Sequence, residues 1–239
     1  MSAAAAGTAD LKAVASPPAR IAGLFYLLAL LFNGGLLLIR GSLVVSGDAA
    51  ATASNLLAHP SRFWLGLTCY FLLIACHVVV TALFYELFRP ASRSLSLLAA
   101  FFSLVGCAAA AFSTLFYSAP IVILQEAPKL GAFGTEQLQA IALMLTRLNV
   151  TASHIGSVFF GFYFLLIGSL IVKSTFLPRF LGALMMFSGL LVLTLLYPPL
   201  AGSPRAYALI GEAALTLWLL VRGVNVERWK EQAGLRGTR

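Results

Sequence analysis

Residues Leu148 to Val172 read LNVTASHIGSVFFGFYFLLIGSLIV, a run without Asp, Glu, Lys or Arg that is bounded by Arg147 and Lys173. A membrane-crossing helix needs about 20 consecutive apolar residues, because each advances roughly 1.5 Å through a hydrocarbon layer about 30 Å thick. This stretch is long enough to cross and too long for an ordinary core strand. It is therefore read as a transmembrane helix, the fourth of about six.

Similar runs lie on either side. The first spans about Ile21 to Ile39, the second Phe63 to Phe88, the fifth Phe180 to Tyr197 and the sixth Ala206 to Val221. The third starts near Ser94 and reaches Tyr117 or beyond, with a kink expected at Pro120. Between spans one and two, Asp48 can cap a short Ala-rich surface helix that ends at Pro60. Ahead of span four, Thr135-Glu136-Gln137 opens a helical pattern carried by Leu138, Ile141, Ala142 and Leu145. That helix either lies on the membrane surface or runs directly into the span. Pro198-Pro199 and Gly202-Ser-Pro204 separate the last two spans.

Composition agrees with lipid as the solvent. Of 239 residues, 60% are apolar and 10% charged, against roughly 45–50% and about 25% in soluble domains. The formal charge of +8 does not indicate nucleic acid, because the basic residues sit between the spans instead of on one clustered face. They assign orientation. Lys12, Arg20, Arg89, Arg93, Lys173, Arg179, Arg222, Arg228, Lys230, Arg236 and Arg239 fall on one side; Arg40, Arg62, Lys129, Arg147 and Arg205 fall on the other. Eleven against five puts both termini in the cytoplasm, in the plasma membrane. Trp64, Tyr117, Tyr197 and Tyr207 are then expected near the outer interface and Trp229 near the inner one.

The expected organisation is all-α and polytopic: a disordered cytoplasmic tail over residues 1–19, a six-helix domain over 20–225 and a charged cytoplasmic tail over 226–239. The apolar run after Arg20 is too long for a signal-peptide core, so the first span is expected to remain. Cys69, Cys76 and Cys107 lie in apolar runs without a paired framework and are read as small packing residues. The basic, proline-containing turns Glu86-Leu-Phe-Arg89-Pro90 and Lys173-Ser-Thr-Phe-Leu-Pro178-Arg179 echo each other. Duplication or the ordinary needs of a short inside loop would each produce that echo.

Several landmarks recur in a recognisable order. They are Arg20-Ile-Ala-Gly23-Leu-Phe-Tyr26, Gly47-Asp48-Ala with Asn55, Phe159-Phe-Gly161, Lys173-Ser174-x-Phe-Leu-Pro178-Arg179-x-Leu-Gly182, and Gly211-Glu212 followed by Trp218-Leu-Leu-x-x-Gly223-Val. Over most of residues 20 to 225 the chain resembles the bacterial membrane proteins grouped as domain of unknown function 4386. The resemblance implies a multi-pass helical bundle and brings no activity, cofactor or catalytic residue with it.

Function must then be sought in polar residues inside the bilayer. Glu212 lies roughly 9 Å into the sixth span, where an ionised carboxylate is disfavoured by up to about 2.5–3.5 kcal/mol. It must be paired, protonated or wet. It can serve as proton carrier, ligand anchor or acid/base, or as a structural hydrogen bond between helices. His154 has a similar depth, so the two can meet. His77 is roughly 12 Å deeper, which argues against a two-histidine, one-carboxylate metal site; no metal and no cofactor is expected.

His154, Gly161 and Gly168 recur every seven residues, and Ala99, Ser103, Gly106, Ala110 and Ser113 form a small stripe in span three. Both are read as helix contacts in preference to a ligand slot. Asn33-Gly34-Gly35 can loosen the first span, as transporters do at substrate sites, which makes Asn33 a further ligand candidate beside Glu212, His154 and His77. Asn149-Val150-Thr151 matches a glycosylation sequon at a span edge, where no accessible acceptor is expected.

P-loop, dinucleotide, G-x-S-x-G and H-E-x-x-H motifs are absent from the sequence. The leading expectation is a non-enzymatic structural or accessory component, its partners being the bilayer and either another membrane protein or an apolar ligand. The rivals are an intramembrane enzyme using Glu212 and His154 as acid and base, and a small proton-coupled transporter built on Glu212.

Overall fold

The computed structural model describes residues 18–131, 133–196 and 205–234. Residues 1–17, 132, 197–204 (Tyr197 among them) and 235–239 lie outside them, as do the side chains of Arg205 and Tyr207. Every regular element among the described residues is helical.

Helix α1 covers Ala19–Leu43 and α2 covers Ala49–Ala58. Asp48 caps α2 by accepting from the Ala51 N–H at 2.8 Å, after Gly47 turns the chain with φ of 84°. Pro60 opens α3, Pro60–Phe88, where its missing N–H costs nothing. Helix α4 runs Arg93–Glu126 with Pro120 inside it and ends in a 3-10 turn over Ala127–Leu130.

Helix α5, Thr135–Lys173, is one helix of 39 residues, so the amphipathic segment joins the span. At roughly 58 Å it is far longer than a bilayer is thick, and its exposed first turn carries Glu136. Helix α6, Arg179–Leu193, continues as a 3-10 turn over Thr194–Leu196. Helix α7, Arg205–Val221, meets the short α8, Val226–Gln232, at a bend of 105°. Among the described residues, five helices are long and apolar enough to cross a membrane, six if α7 and α8 count as one bent span.

Their outer surfaces carry large apolar side chains that water would not tolerate together. Leu38 is 78% exposed, Leu115 61%, Met144 63%, Leu190 59% and Val221 73%. With every helix satisfying its own backbone, such a chain is at home in hydrocarbon. The protein is a multi-pass membrane protein.

The chain forms two compact units. One gathers Val78–Leu104, Val158–Arg239 and the chain up to Leu27; the other gathers Leu28–His77 and Val105–Ser157. Within the first, α5 and α6 run antiparallel and meet at two glycine pairs. A Cβ on Gly168 would lie 2.6 Å from the Gly182 carbonyl oxygen, and one on Gly189 would lie 2.8 Å from that of Gly161. Gly168 faces Gly182 and Gly161 faces Gly189 in one register, which is the contact role expected of the glycine stripe. Gly23 likewise lets α1 approach α7: a Cβ there would lie 3.0–3.1 Å from atoms of Leu219 and Leu220. Thr81 and Ser103 hydrogen-bond across α3 and α4 at 2.6 Å.

Within the second unit, Gly156 of α5 abuts the Gly106 carbonyl of α4, again from the expected stripe. Leu36, Leu56, Phe63, Tyr117, Leu138 and Ala142 share its apolar core. Tyr117 is 7% exposed and stacks on Phe63 at 5.0 Å, with Gly66 making room for its hydroxyl. Its ring is packed inside the protein.

Placing a methyl where a carbonyl already sits forces the helices apart, at a typical cost of about 1–3 kcal/mol. Gly168→Ala and Gly182→Ala should each lose that much stability in detergent, and Gly161→Leu more. Gly34, whose Cβ would meet nothing within 4 Å, should tolerate Ala or gain up to about 1 kcal/mol from helix propensity. Thermal unfolding of the four purified variants checks this; equal behaviour at Gly34 and Gly168 would refute close packing as the bond between α5 and α6.

Candidate functional site

The most buried acidic group is built by two of the tight glycine contacts in the first unit. Gly211 brings α7 against α6: its N–H donates to the Ser188 hydroxyl at 3.2 Å, and a Cβ there would sit 2.6 Å from the Leu184 carbonyl oxygen. The next residue, Glu212, is 7% exposed. On α1, Tyr26 lies three residues after Gly23 and so on the same face, directed toward α7. Tyr26 is fully buried, and its hydroxyl donates to Glu212 Oε2 at 3.0 Å.

An aromatic wall holds the phenol in place. Tyr26 packs edge-on against Phe84 of α3 at 5.7 Å, and Phe84 against Phe88 at 5.6 Å. Tyr163 of α5 is buried in the same unit. Thr216, one turn beyond Glu212, is 1% exposed and keeps the same face of α7 polar. A hydrogen bond to a charged group contributes about 1.5–3 kcal/mol net, comparable with the cost of holding a carboxylate at depth. The pair joins the first span to the last long one.

His154 belongs to the second unit, half-buried on α5, and His77 is half-buried at the edge of that unit on α3. The partner the structure gives Glu212 is thus Tyr26, which the sequence reading passed over. A signal was available: Tyr26 shares a helix face with Gly23 inside the first landmark. Helix α1 stays helical through Asn33-Gly34-Gly35, so that segment is not unwound. Among the described residues no three His, Cys, Asp or Glu side chains converge on a metal-sized site.

The second unit holds its own polar chain. Arg40, near the end of α1, donates from Nη1 to Asn149 Oδ1 and from Nη2 to the Thr146 carbonyl, both at 3.2 Å. Asn149 Nδ2 donates to the Ser113 carbonyl at 2.8 Å. The Ser113 hydroxyl lies 2.6 Å from the Tyr70 hydroxyl, which is 3.0 Å from that of Ser153. Four helices are thereby connected, and the cleft beside Arg40 and Tyr117 has about 20 Å³ of free volume, room for roughly one water. Asn149 is 2% exposed, so both ends of the sequon amide are occupied inside the protein.

Asn149→Ala removes both bonds and leaves Arg40 and Ser113 short of partners, which should cost about 1–3 kcal/mol. Thr151→Ala destroys the same sequon at an exposed site bonded only to the Arg147 carbonyl and should change stability by less than about 0.5 kcal/mol. Thermal unfolding of the two proteins distinguishes a structural Asn149 from a modification site; equal losses would contradict the structural role.

A family profile described as domain of unknown function (DUF4386) matches residues 21–223. An uncharacterized protein of Archaeoglobus fulgidus is 30% identical over 156 residues, covering 64% of this chain and 80% of its own length. No solved structure matches the chain. The landmark glycines at 23, 161, 182 and 211 are the very positions where helices touch backbone to backbone, and with the profile extending across all the long helices, the chain belongs to the DUF4386 family of membrane proteins.

Proposed function

We propose that the chain is a non-enzymatic structural or accessory component of the plasma membrane, with both termini cytoplasmic and with lipid or an apolar partner against its outer faces. The observation that carries this reading is the Tyr26 to Glu212 hydrogen bond: a buried carboxyl group engaged by a phenol from another helix supports a role as a tie between helices. The Lys and Arg distribution supports the orientation. Glu212, and with it His154, His77 and Asn33, act through packing and hydrogen bonding in this reading.

A double-mutant cycle tests the tie. Glu212→Gln keeps an acceptor oxygen and should stay folded with a small loss. Tyr26→Phe removes the donor and should cost about 1.5–3 kcal/mol. Their combined effect should fall short of the sum, since Tyr26→Phe removes the very bond that Glu212→Gln weakens. Strict additivity in thermal unfolding would break the proposed tie. The topology is tested separately: protease-cleavable tags at the two ends should both be cut only from the cytoplasmic face of sealed vesicles, and protection of just one of them would overturn the assignment.

A further inference from the structure

Where α7 ends and α8 begins, Gly223 takes a positive φ of 68° and the chain turns sharply. The resulting elbow faces the turn between α5 and α6 and borders an open cleft of about 430 Å³, many times the roughly 30 Å³ occupied by one water. Its walls include Thr175, Phe176, Trp218, Arg222, Asn225 and Arg228. We propose that this elbow binds the phosphate headgroup of an anionic lipid, with Arg222 and Arg228 as its ligands.

Three observations carry the assignment. First, the cationic groups are available. The Arg222 guanidinium lies 5.2 Å over the Trp218 ring, a cation–π contact that does not use up its N–H donors. Arg228 reaches only the Thr175 carbonyl, at 3.4 Å. The ion pairs of Arg89 with Glu86 and of Lys129 with Glu126 involve neither guanidinium. Around the elbow, Lys173, Arg179, Arg222, Arg228 and Lys230 outnumber Glu227 and Glu231. Two guanidiniums beside one cleft suit a phosphate, which accepts forked N–H pairs.

Second, the cleft is built before any ligand arrives. Asn225 donates its backbone N–H to the Phe176 carbonyl at 3.2 Å, Gln232 Oε1 accepts from the Thr175 N–H at 3.0 Å, and Gln232 Nε2 donates to the Lys173 carbonyl at 3.2 Å. Trp229, 2% exposed, donates its indole N–H to the Leu87 carbonyl at 2.9 Å. Four bonds clamp α8 in place, so little ordering remains to oppose binding.

Third, the surroundings select a lipid over a soluble phosphate. The elbow lies at the end of an apolar span, where headgroups are. Directly beside it, Leu217 is 58% and Val221 73% exposed, offering a greasy track for acyl chains while the head sits against arginine.

The test uses the full-length protein in neutral detergent, with phosphatidylglycerol and phosphatidylcholine as probes and native mass spectrometry as readout. Phosphatidylglycerol should be retained over phosphatidylcholine. The double variant Arg222→Gln, Arg228→Gln should raise its apparent Kd by about tenfold or more, since charge-assisted contacts to phosphate are lost. The double lysine variant, which keeps charge without the fork and guards against misfolding, should fall between. Arg93→Gln, an exposed charge outside the cleft, should leave the Kd unchanged. Equal retention of the two lipids would overturn the proposal, as would an Arg93→Gln loss matching that of the double variant, which would mean diffuse attraction. Displacement of phosphatidylglycerol by an equal concentration of soluble glycerol phosphate would overturn the lipid assignment in favour of a soluble ligand.

Discussion

Hydrocarbon offers no water to satisfy a backbone amide and no hydrophobic gain when one apolar helix leaves lipid for another. Helices in this protein must therefore hold together by close contact and by hydrogen bonds between them. The closest contacts occur where a glycine exposes backbone: Gly168 against Gly182, Gly161 against Gly189, Gly211 against Leu184, Gly23 against Leu220 and Gly156 against Gly106. Each admits a neighbouring main chain into space that any side chain would fill. The dense dispersion contacts that follow supply attraction that water would supply in a soluble core.

Polar groups then lie where those approaches leave them within reach. Glu212 follows Gly211 and Tyr26 follows Gly23 on the same face, so the two crossings that bring helices together also bring phenol and carboxylate to 3.0 Å. In the other unit, the chain from Arg40 through Asn149 and Ser113 to Tyr70 uses neutral acceptors and hydroxyls to link helices. Two hydroxyl pairs at 2.6 Å, Thr81 with Ser103 and Tyr70 with Ser113, repeat the device at small scale. A buried hydroxyl with no partner in lipid is costly, which gives these short pairs their value in fixing which helix faces which.

The end of the chain shows the opposite balance. After Gly223 the helix cannot continue apolar, and the Arg, Lys and Glu residues of α8 belong among headgroups. Within the charged segment 226–239, Val226–Gln232 is helical and anchored by Trp229. The indole sits inside the protein because its N–H finds a carbonyl at Leu87, at the end of α3. Charge at the surface and one buried aromatic anchor together make the elbow a fixed feature.

Hydropathy alone was enough to place the long helices, because crossing hydrocarbon demands length and apolarity that survive any packing arrangement. The small stripes at Gly161 and Gly168, and at Ser103, Gly106 and Ser113, were legible for the same kind of reason: a row of minimal side chains has few uses apart from contact. The surface helix was readable from Asp48, whose cap is a local hydrogen bond. What the sequence could not supply was the partner of each polar residue. Depth along a span follows from counting, and it suggested His154 for Glu212; rotation about the helix axis and the choice of neighbour depend on packing between residues distant in sequence. Tyr26 and Glu212 are separated by 186 positions, and only the tertiary structure, through the glycine crossings that set helix orientation, decided that they meet.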